Sequence, residues 1–227
     1  MLLNTSRQNP FSYEFSNRLY AMFPPTFKIA GVIPAAGQSA RMGCDKRRLP
    51  LGKMTLLEMT VSNLTRAGCS PVVVVLEPAS PCSGLEMLRE PPVSVVNLMH
   101  PSPNMRTSIC AGLRSLPDEV YAAAVMPADC PLISTRLISS ILEEYMRLRP
   151  LLFVPTYKGQ QGHPRILAKE IFRDIYAMPE QDRFSSIFSR RSEVSVWFET
   201  GDPAIVMDCD TLPDYEALLK EWQKVTT

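Results

Sequence analysis

The chain has few of the short signatures that assign a metal cage, a secretory route or a nucleotide-binding loop. Its six cysteines, at positions 44, 69, 82, 110, 130 and 209, form no C-x-x-C pair, and neither His100 nor His163 stands at metal-site spacing from one. In a domain of this size they read as reduced, mostly buried thiols of a cytoplasmic protein. No apolar run is long enough to span a bilayer, and Val72 to Leu76 is strand-sized. The first residues lack the charged start and apolar core of a signal peptide. Charge is nearly balanced, with 24 Lys and Arg against 23 Asp and Glu for a net of +1. Neither a long nucleic acid nor an anionic membrane surface is therefore expected as partner. There is no Walker A ending and no G-x-G-x-x-G. No Ser-His-Asp or paired-acid constellation stands out.

What is present is concentrated in Gly31-Val-Ile-Pro-Ala-Ala-Gly-Gln-Ser-Ala-Arg-Met-Gly-Cys-Asp-Lys46. An apolar strand runs into a loop with glycines at 37 and 43, then reaches Arg41 and Lys46. Small residues at Ala35, Ala36 and Gly37 let backbone amides approach a ligand closely. A row of amides followed by a guanidinium and an ammonium suits a polyanion such as a triphosphate. Taken alone, the glycines also fit a tight surface loop with two solvated cations.

The full pattern A-A-G-x-S-x-R-M-G-x-D-K resembles the nucleotidyltransferases of the molybdenum-cofactor branch, the molybdopterin guanylyl- and cytidylyltransferases. Leu49-Pro50-Leu51-Gly52 and Leu56-Leu57-Glu58 continue the resemblance. It implies that Ala35, Ala36, Gly37, Ser39 and Gly43 wrap the nucleotide, while Arg41 and Lys46 neutralise the triphosphate and the leaving pyrophosphate. Arg47 and Arg48 replace positions often apolar in the family and receive no role from it. Ala128-Asp129-Cys130-Pro131 resembles the metal-binding segment, with Asp129 holding Mg²⁺. By itself an Asp-x-Pro turn is usually a carboxylate bonded to its own backbone.

Asn104-Met-Arg-Thr-Ser108-Ile-Cys-Ala-Gly112-Leu resembles the segment along the base and ribose, which makes Ser108 a nucleotide contact. It also reads as a plain helix start capped near Thr107 or Ser108. Arg106 either meets phosphate or faces water. Gln161-Gly162-His163-Pro164-Arg165 matches a G-H-P signature, so His163 is expected to line the acceptor site or to hold a neighbouring loop. Asp182 and Arg183 stand where relatives carry a Gly-Asp-x-Gly acceptor segment. Asp208-Cys-Asp210-Thr-Leu-Pro-Asp214 resembles the family's ending, in which Thr211, Pro213 and Asp214 start a helix. That leaves Asp208 and Asp210 as further metal candidates. Cys44 and Cys130 lie inside motifs, where oxidation is expected to inhibit.

Residues 1–27 are polar and aromatic, without periodicity, and read as an N-terminal extension, either a flexible segment or an ordered arm. Residues 28–227 form one α/β domain. Strands are expected at Ala30 to Pro34, Val72 to Leu76, Val93 to Leu98, Ala122 to Met126 and Leu151 to Pro155. Helices are expected after the Thr55-x-x-Glu58 capping box, over Met105 to Leu116, and after Ser134. This alternation predicts a Rossmann-like three-layer α/β/α domain with a mostly parallel sheet, and ligands at the carboxyl ends of its strands.

The resemblance implies transfer of CMP from CTP to a phosphate-bearing pterin, molybdopterin, with Mg²⁺ as cofactor and an apoenzyme receiving the product. CTP is favoured because Ala35-Ala36-Gly37 resembles the cytidylyl enzymes, and the Ala36 methyl is expected to narrow the base pocket. Guanylyl transfer, a sugar- or alcohol-phosphate acceptor, and a non-catalytic cofactor-delivery module remain as alternatives.

Overall fold

The computed structural model describes residues 27–37, 45–78, 91–101, 104–179 and 181–226. The first half contains β1 (Lys28–Pro34), β2 (Pro50–Leu51), β3 (Met54–Thr55), α1 (Leu56–Arg66), β4 (Val72–Leu76), β5 (Val93–Asn97) and α2 (Met105–Arg114). There follow β6 (Val120–Val125), α3 (Thr135–Leu148), β7 (Leu152–Tyr157), β8 (Gln160–Gln161), β9 (Arg165–Ala168), α4 (Phe172–Ala177), α5 (Ser186–Arg190), β10 (Ser195–Glu199) and α6 (Leu212–Thr226).

The main sheet has the order β10-β7-β9-β6-β1-β4-β5, with β8 paired to β7. β1 runs parallel to both neighbours, Gly31 lying opposite Val72 on β4 and Ala124 on β6. The apolar runs of β1, β4 and β6 are almost entirely buried, as strands covered on both faces must be. The expected mostly parallel sheet is therefore present, with two antiparallel strands, the two-residue β8 on β7 and β9. β9 enters between β6 and β7 and runs antiparallel to both. Only four residues long, it offers too short a pattern to stand out in the sequence.

Side chains alternate across the sheet and define the layers. On one face Leu57, Val61 and Leu64 of α1 and Ile138, Ile141 and Tyr145 of α3 meet Ile33, Val72 and Val74. On the other, Ile109 and Leu113 of α2 and Phe172, Ile175 and Phe188 of α4 and α5 meet Val32, Ala123 and Val125. Each fully buried Leu or Val contributes about 1.5–3 kcal/mol of transfer free energy. Gly112 lets α2 lie this close: a Cβ there would sit 2.6 Å from Val32 Cγ1 and 3.1 Å from Val75 Cγ2.

Helix starts follow their signals. Thr55 and Glu58 form the complete capping box of α1, and the Ser134 side chain accepts from Leu137 N at the start of α3. α2 differs from expectation, because its cap is Asn104, whose Oδ1 accepts from Arg106 N at 2.9 Å. At the end of the chain α6 packs Leu218 and Trp222 against Leu51, Leu56 and Cys209. Among the described residues no helix is long and apolar enough to cross a membrane.

Candidate active site

Chain topology opens a crevice beside β1. The chain places β4 on one side of β1 and returns to place β6 on the other, so their carboxyl ends meet at a switch point of the sheet. Residues 35–37 leave β1 there, and the turn carrying Asp129 leaves β6.

That turn is held from α1. Thr60, fully buried, donates from Oγ1 to the Ala128 carbonyl at 3.2 Å as well as to Leu56 O at 3.0 Å. Asn63 Nδ2 donates to the Pro131 carbonyl at 3.1 Å and its Oδ1 accepts from Thr135 Oγ1 at 3.2 Å. Both ends of the turn are thus tied to one helix, and Asp129 between them is only 7% exposed.

The Lys46 ammonium hydrogen-bonds to Asp129 Oδ2 and, at 2.7 Å, to Asp210 Oδ1. Three segments distant in sequence are gathered at one nitrogen. Burial alone would lower the Lys46 pKa, but Asp129 and then Asp210 outweigh it and raise it. Asp210 is placed by the start of α6. Thr211 Oγ1 accepts from Asp214 N at 3.3 Å, and Asp214 Oδ2 accepts from Thr211 N at 2.8 Å and Asp210 N at 3.2 Å. Asp208 lies close enough that burial, Asp129 and Asp210 together raise its pKa. Among the described residues no group of three or more His, Cys, Asp or Glu side chains is arranged to hold a metal. The expected trio of Asp129, Asp208 and Asp210 thus reduces to a pair converging on Lys46, with Asp208 beside it.

Next to this pair is a cavity of about 160 Å³, lined by residues 34–37, Lys46 and Arg47 on one side and Met105, Ser108 and residues 127–129 on the other. Ser108, the expected nucleotide contact, is 3% exposed, one turn into α2, and lines the cavity. Arg47, which receives no role from the resemblance, braces the glycine-loop strand end. Its Nη1 donates to Ala35 O at 2.7 Å, while Nε and Nη2 fork onto Asp45 at 2.6 and 2.8 Å. Burial would raise the Asp45 carboxyl, but its contacts with Arg47 lower it. An Asp two residues before an Arg is the signal that could have pointed to this fork.

Residues 31–194 match the MobA-like NTP transferase domain family. The chain belongs to that family. A curated relative from Mycobacterium tuberculosis, named as a probable molybdenum cofactor guanylyltransferase, is 36% identical over 121 residues, or 52% of this chain and 57% of the relative. The match therefore spans little more than half the length of that relative. A nucleotidyl transferase from Methanothermobacter superposes with a TM-score of 0.72 at 20% identity, covering 87% of this chain and 99% of that one. A 4-diphosphocytidyl-2C-methyl-D-erythritol synthase from Anaerococcus prevotii gives 0.71 at 14% identity, covering 87% and 97%. These likenesses show the nucleotidyltransferase fold.

Other residues expected at the site of this MobA-like domain are placed differently. Ser39, Arg41, Gly43 and Cys44 lie outside the described residues. Ala36 packs in an apolar cluster with Val73, Val75 and Leu98 and also lines the cavity. Arg106 does not face water. It is buried, and its Nη1 donates to Met178 O at 2.8 Å just beyond α4. Asp182 pairs with Arg190 at 2.6 Å, and neither it nor Arg183 lines the cavity.

His163 does not line it either. Gly162 lets this segment press on Ile205, since a Cβ there would lie 2.6 Å from the Ile205 carbonyl oxygen, and His163 N donates to that same carbonyl at 2.9 Å. Burial, reinforced by Arg165 and opposed by the Val125 backbone, lowers the His163 pKa to about 3. Its structural expectation, holding a neighbouring segment, is the one its geometry matches. The Cys130 thiol is buried, and burial followed by the Asp129 charge pushes its pKa well up. It is a poor target for oxidation in the folded chain.

Proposed function

We propose that the chain transfers a nucleoside monophosphate from a nucleoside triphosphate to a phosphate-bearing acceptor, molybdopterin, and releases pyrophosphate. The observation that carries this reading is the convergence of Lys46, Asp129 and Asp210 beside the cavity where β1 and β6 end. Two carboxylates converging on one cation suit Mg²⁺, which is commonly held by one or two carboxylates together with substrate phosphates. Mg²⁺ on Asp129 and Asp210 would supply charge stabilisation at the α-phosphate.

The chain's own residues position and neutralise. Amides of residues 35–37, with Ser39, Gly43 and Ser108, hold the nucleotide, and Lys46 and Arg41 offset charge on the triphosphate and departing pyrophosphate. An acceptor phosphate with a second pKa of about 6 is largely dianionic near neutrality. Its oxygen attacks the α-phosphorus, forming the new P–O bond. The bond from the α-phosphorus to the bridging oxygen breaks, and pyrophosphate leaves with the electron pair. This needs no general base. An alcohol acceptor needs one, and His163, at a pKa of about 3, is too weak a base for that role. We assign the reaction to the cytoplasm and the product to an apoenzyme that receives the cofactor.

CTP is the nucleotide proposed first, on the resemblance of Ala35-Ala36-Gly37 to the cytidylyl enzymes and on the Ala36 methyl, which at the cavity wall would narrow a base pocket. A second reading, GTP, is favoured by the curated relatives, which carry the guanylyltransferase name. Pyrophosphate release with molybdopterin, Mg²⁺ and each of CTP, GTP, ATP and UTP separates the two. Release with CTP supports the first and release with GTP the second. No release and no Mg²⁺-dependent stabilisation by any of the four refutes nucleotidyl transfer.

A further inference from the structure

We propose that the Lys46 ammonium is the resident counter-ion of the Asp129–Asp210 pair, and that a divalent cation replaces it there only in company with a triphosphate. The inference rests on the nucleotidyl-transfer reading and adds an order of entry: the chain takes up metal as the metal–nucleotide complex.

The geometry sets up an exchange. Lys46 Nζ already bonds to both carboxylates, at Asp129 Oδ2 and Asp210 Oδ1. A divalent ion coordinated by those oxygens would occupy the place of the ammonium, so two like charges would compete for one position. The side chains of Lys46 and Asp129 are 19% and 10% exposed, so water screens that repulsion little on the Asp129 side and more on the side of Asp210, which is 44% exposed. Arriving alone, the metal has to expel Lys46 from its two carboxylates. Arriving with a triphosphate, it brings the phosphate oxygens that give the displaced ammonium new partners across the cavity that Lys46 itself lines.

The two cations on that wall are built for different tasks. Arg47 is fixed by its fork on Asp45 and its bond to Ala35 O. Lys46 is a compact charge on a flexible four-carbon stem with three rotatable donors, able to swing between anions. The arrangement also keeps the buried Asp129 carboxylate and its half-exposed neighbour Asp210 paired when no substrate is bound, so that the buried charge is not left uncompensated.

The test is a titration of Mn²⁺ into the full chain, followed by the electron paramagnetic resonance signal of the free ion. Wild type, Lys46→Met and Lys46→Gln are compared with and without the α,β-methylene analogues of CTP and GTP. Without nucleotide, both variants are expected to bind Mn²⁺ at least tenfold more tightly than wild type. That gain should vanish when Asp129→Asn is added. In wild type the analogue should tighten Mn²⁺ binding, and Mn²⁺ should tighten the analogue by the same factor. The wild-type arm keeps the test decisive should a variant fold poorly. Mn²⁺ bound no more tightly by the folded variants, or as tightly by wild type with and without a bound analogue, overturns the exchange. Absence of binding by either analogue in any state instead counts against the nucleotidyl-transfer reading, while the comparison of variants still reports on Lys46.

Discussion

Asn63 donates from Nδ2 to the Pro131 carbonyl at 3.1 Å, so the middle of α1 grips the far end of the turn that presents Asp129. Its Oδ1 in turn accepts from Thr135 at the start of α3. One amide thereby locks two helices and a candidate metal turn into a single geometry.

Asn63→Leu keeps the size of the side chain but leaves the Pro131 carbonyl and the Thr135 hydroxyl without this partner. Each lost bond costs about 1 kcal/mol. A drop of about 1–2 kcal/mol in urea unfolding is expected, together with a higher Mg²⁺ concentration for half-maximal turnover. Unchanged Mg²⁺ dependence in a destabilised variant would mean that the turn keeps Asp129 in place without Asn63.

Arg106 offers a contrast between fold and site. Its guanidinium bonds to the Met178 carbonyl within the apolar layer of α2 and α4. Arg106→Met should therefore lower stability by about 1–3 kcal/mol, since a buried carbonyl loses a charged donor. Nucleotide affinity should change less than threefold in protein shown to be folded. A large loss of affinity at unchanged stability would restore a phosphate-binding role.

The difference between Arg106 and Lys46 shows what a sequence does and does not make legible. The continuous apolar runs of β4 and β6 and the capping box of α1 act locally, so these strands and helices could be read directly from residue order, whereas the switch point follows from a strand order that only the fold shows. Asp129 and Lys46 were legible because each lies in a motif at a strand end. Their direct bond joins positions 83 residues apart, and Asp210 lies 164 residues from Lys46. Such distances carry no periodicity. Arg106 was ambiguous for the same reason, because its partner carbonyls lie 69 and 72 residues further on. His163 looked like a site residue because Gly162 and Pro164 flank it. In the fold the glycine serves the tight approach to Ile205.

Cys130 follows Asp129 directly, yet its thiol is buried and its pKa is pushed well above the ordinary value by burial and then by Asp129. Thiolate is the reactive form. Folded protein at pH 8 should therefore leave Cys130 unlabelled by iodoacetamide over the time in which urea-unfolded protein is fully labelled. Peptide mass mapping reads the site. Rapid labelling in the folded state would show that the turn opens and would revive a redox role.

His163 makes stability depend on pH in a direction that its environment fixes. Its folded pKa is lowered to about 3 from the ordinary 6.5, first by burial and then by Arg165. Above 6.5 the imidazole is neutral whether the chain is folded or not, and this residue imposes no penalty. As pH falls below 6.5 the unfolded chain takes up a proton that the native state refuses until about pH 3. Unfolding is favoured throughout that window, by about 1.4 kcal/mol for each pH unit at its steepest. Urea unfolding of wild type and His163→Gln at pH 7, 6, 5 and 4.5 measures the effect. Glutamine cannot take up the proton, so the variant is expected to be less stable than wild type at pH 7 and to lose stability more slowly below pH 6. Parallel curves for the two proteins would mean that His163 titrates alike in both states, and that the imidazole is more accessible to water than its burial implies.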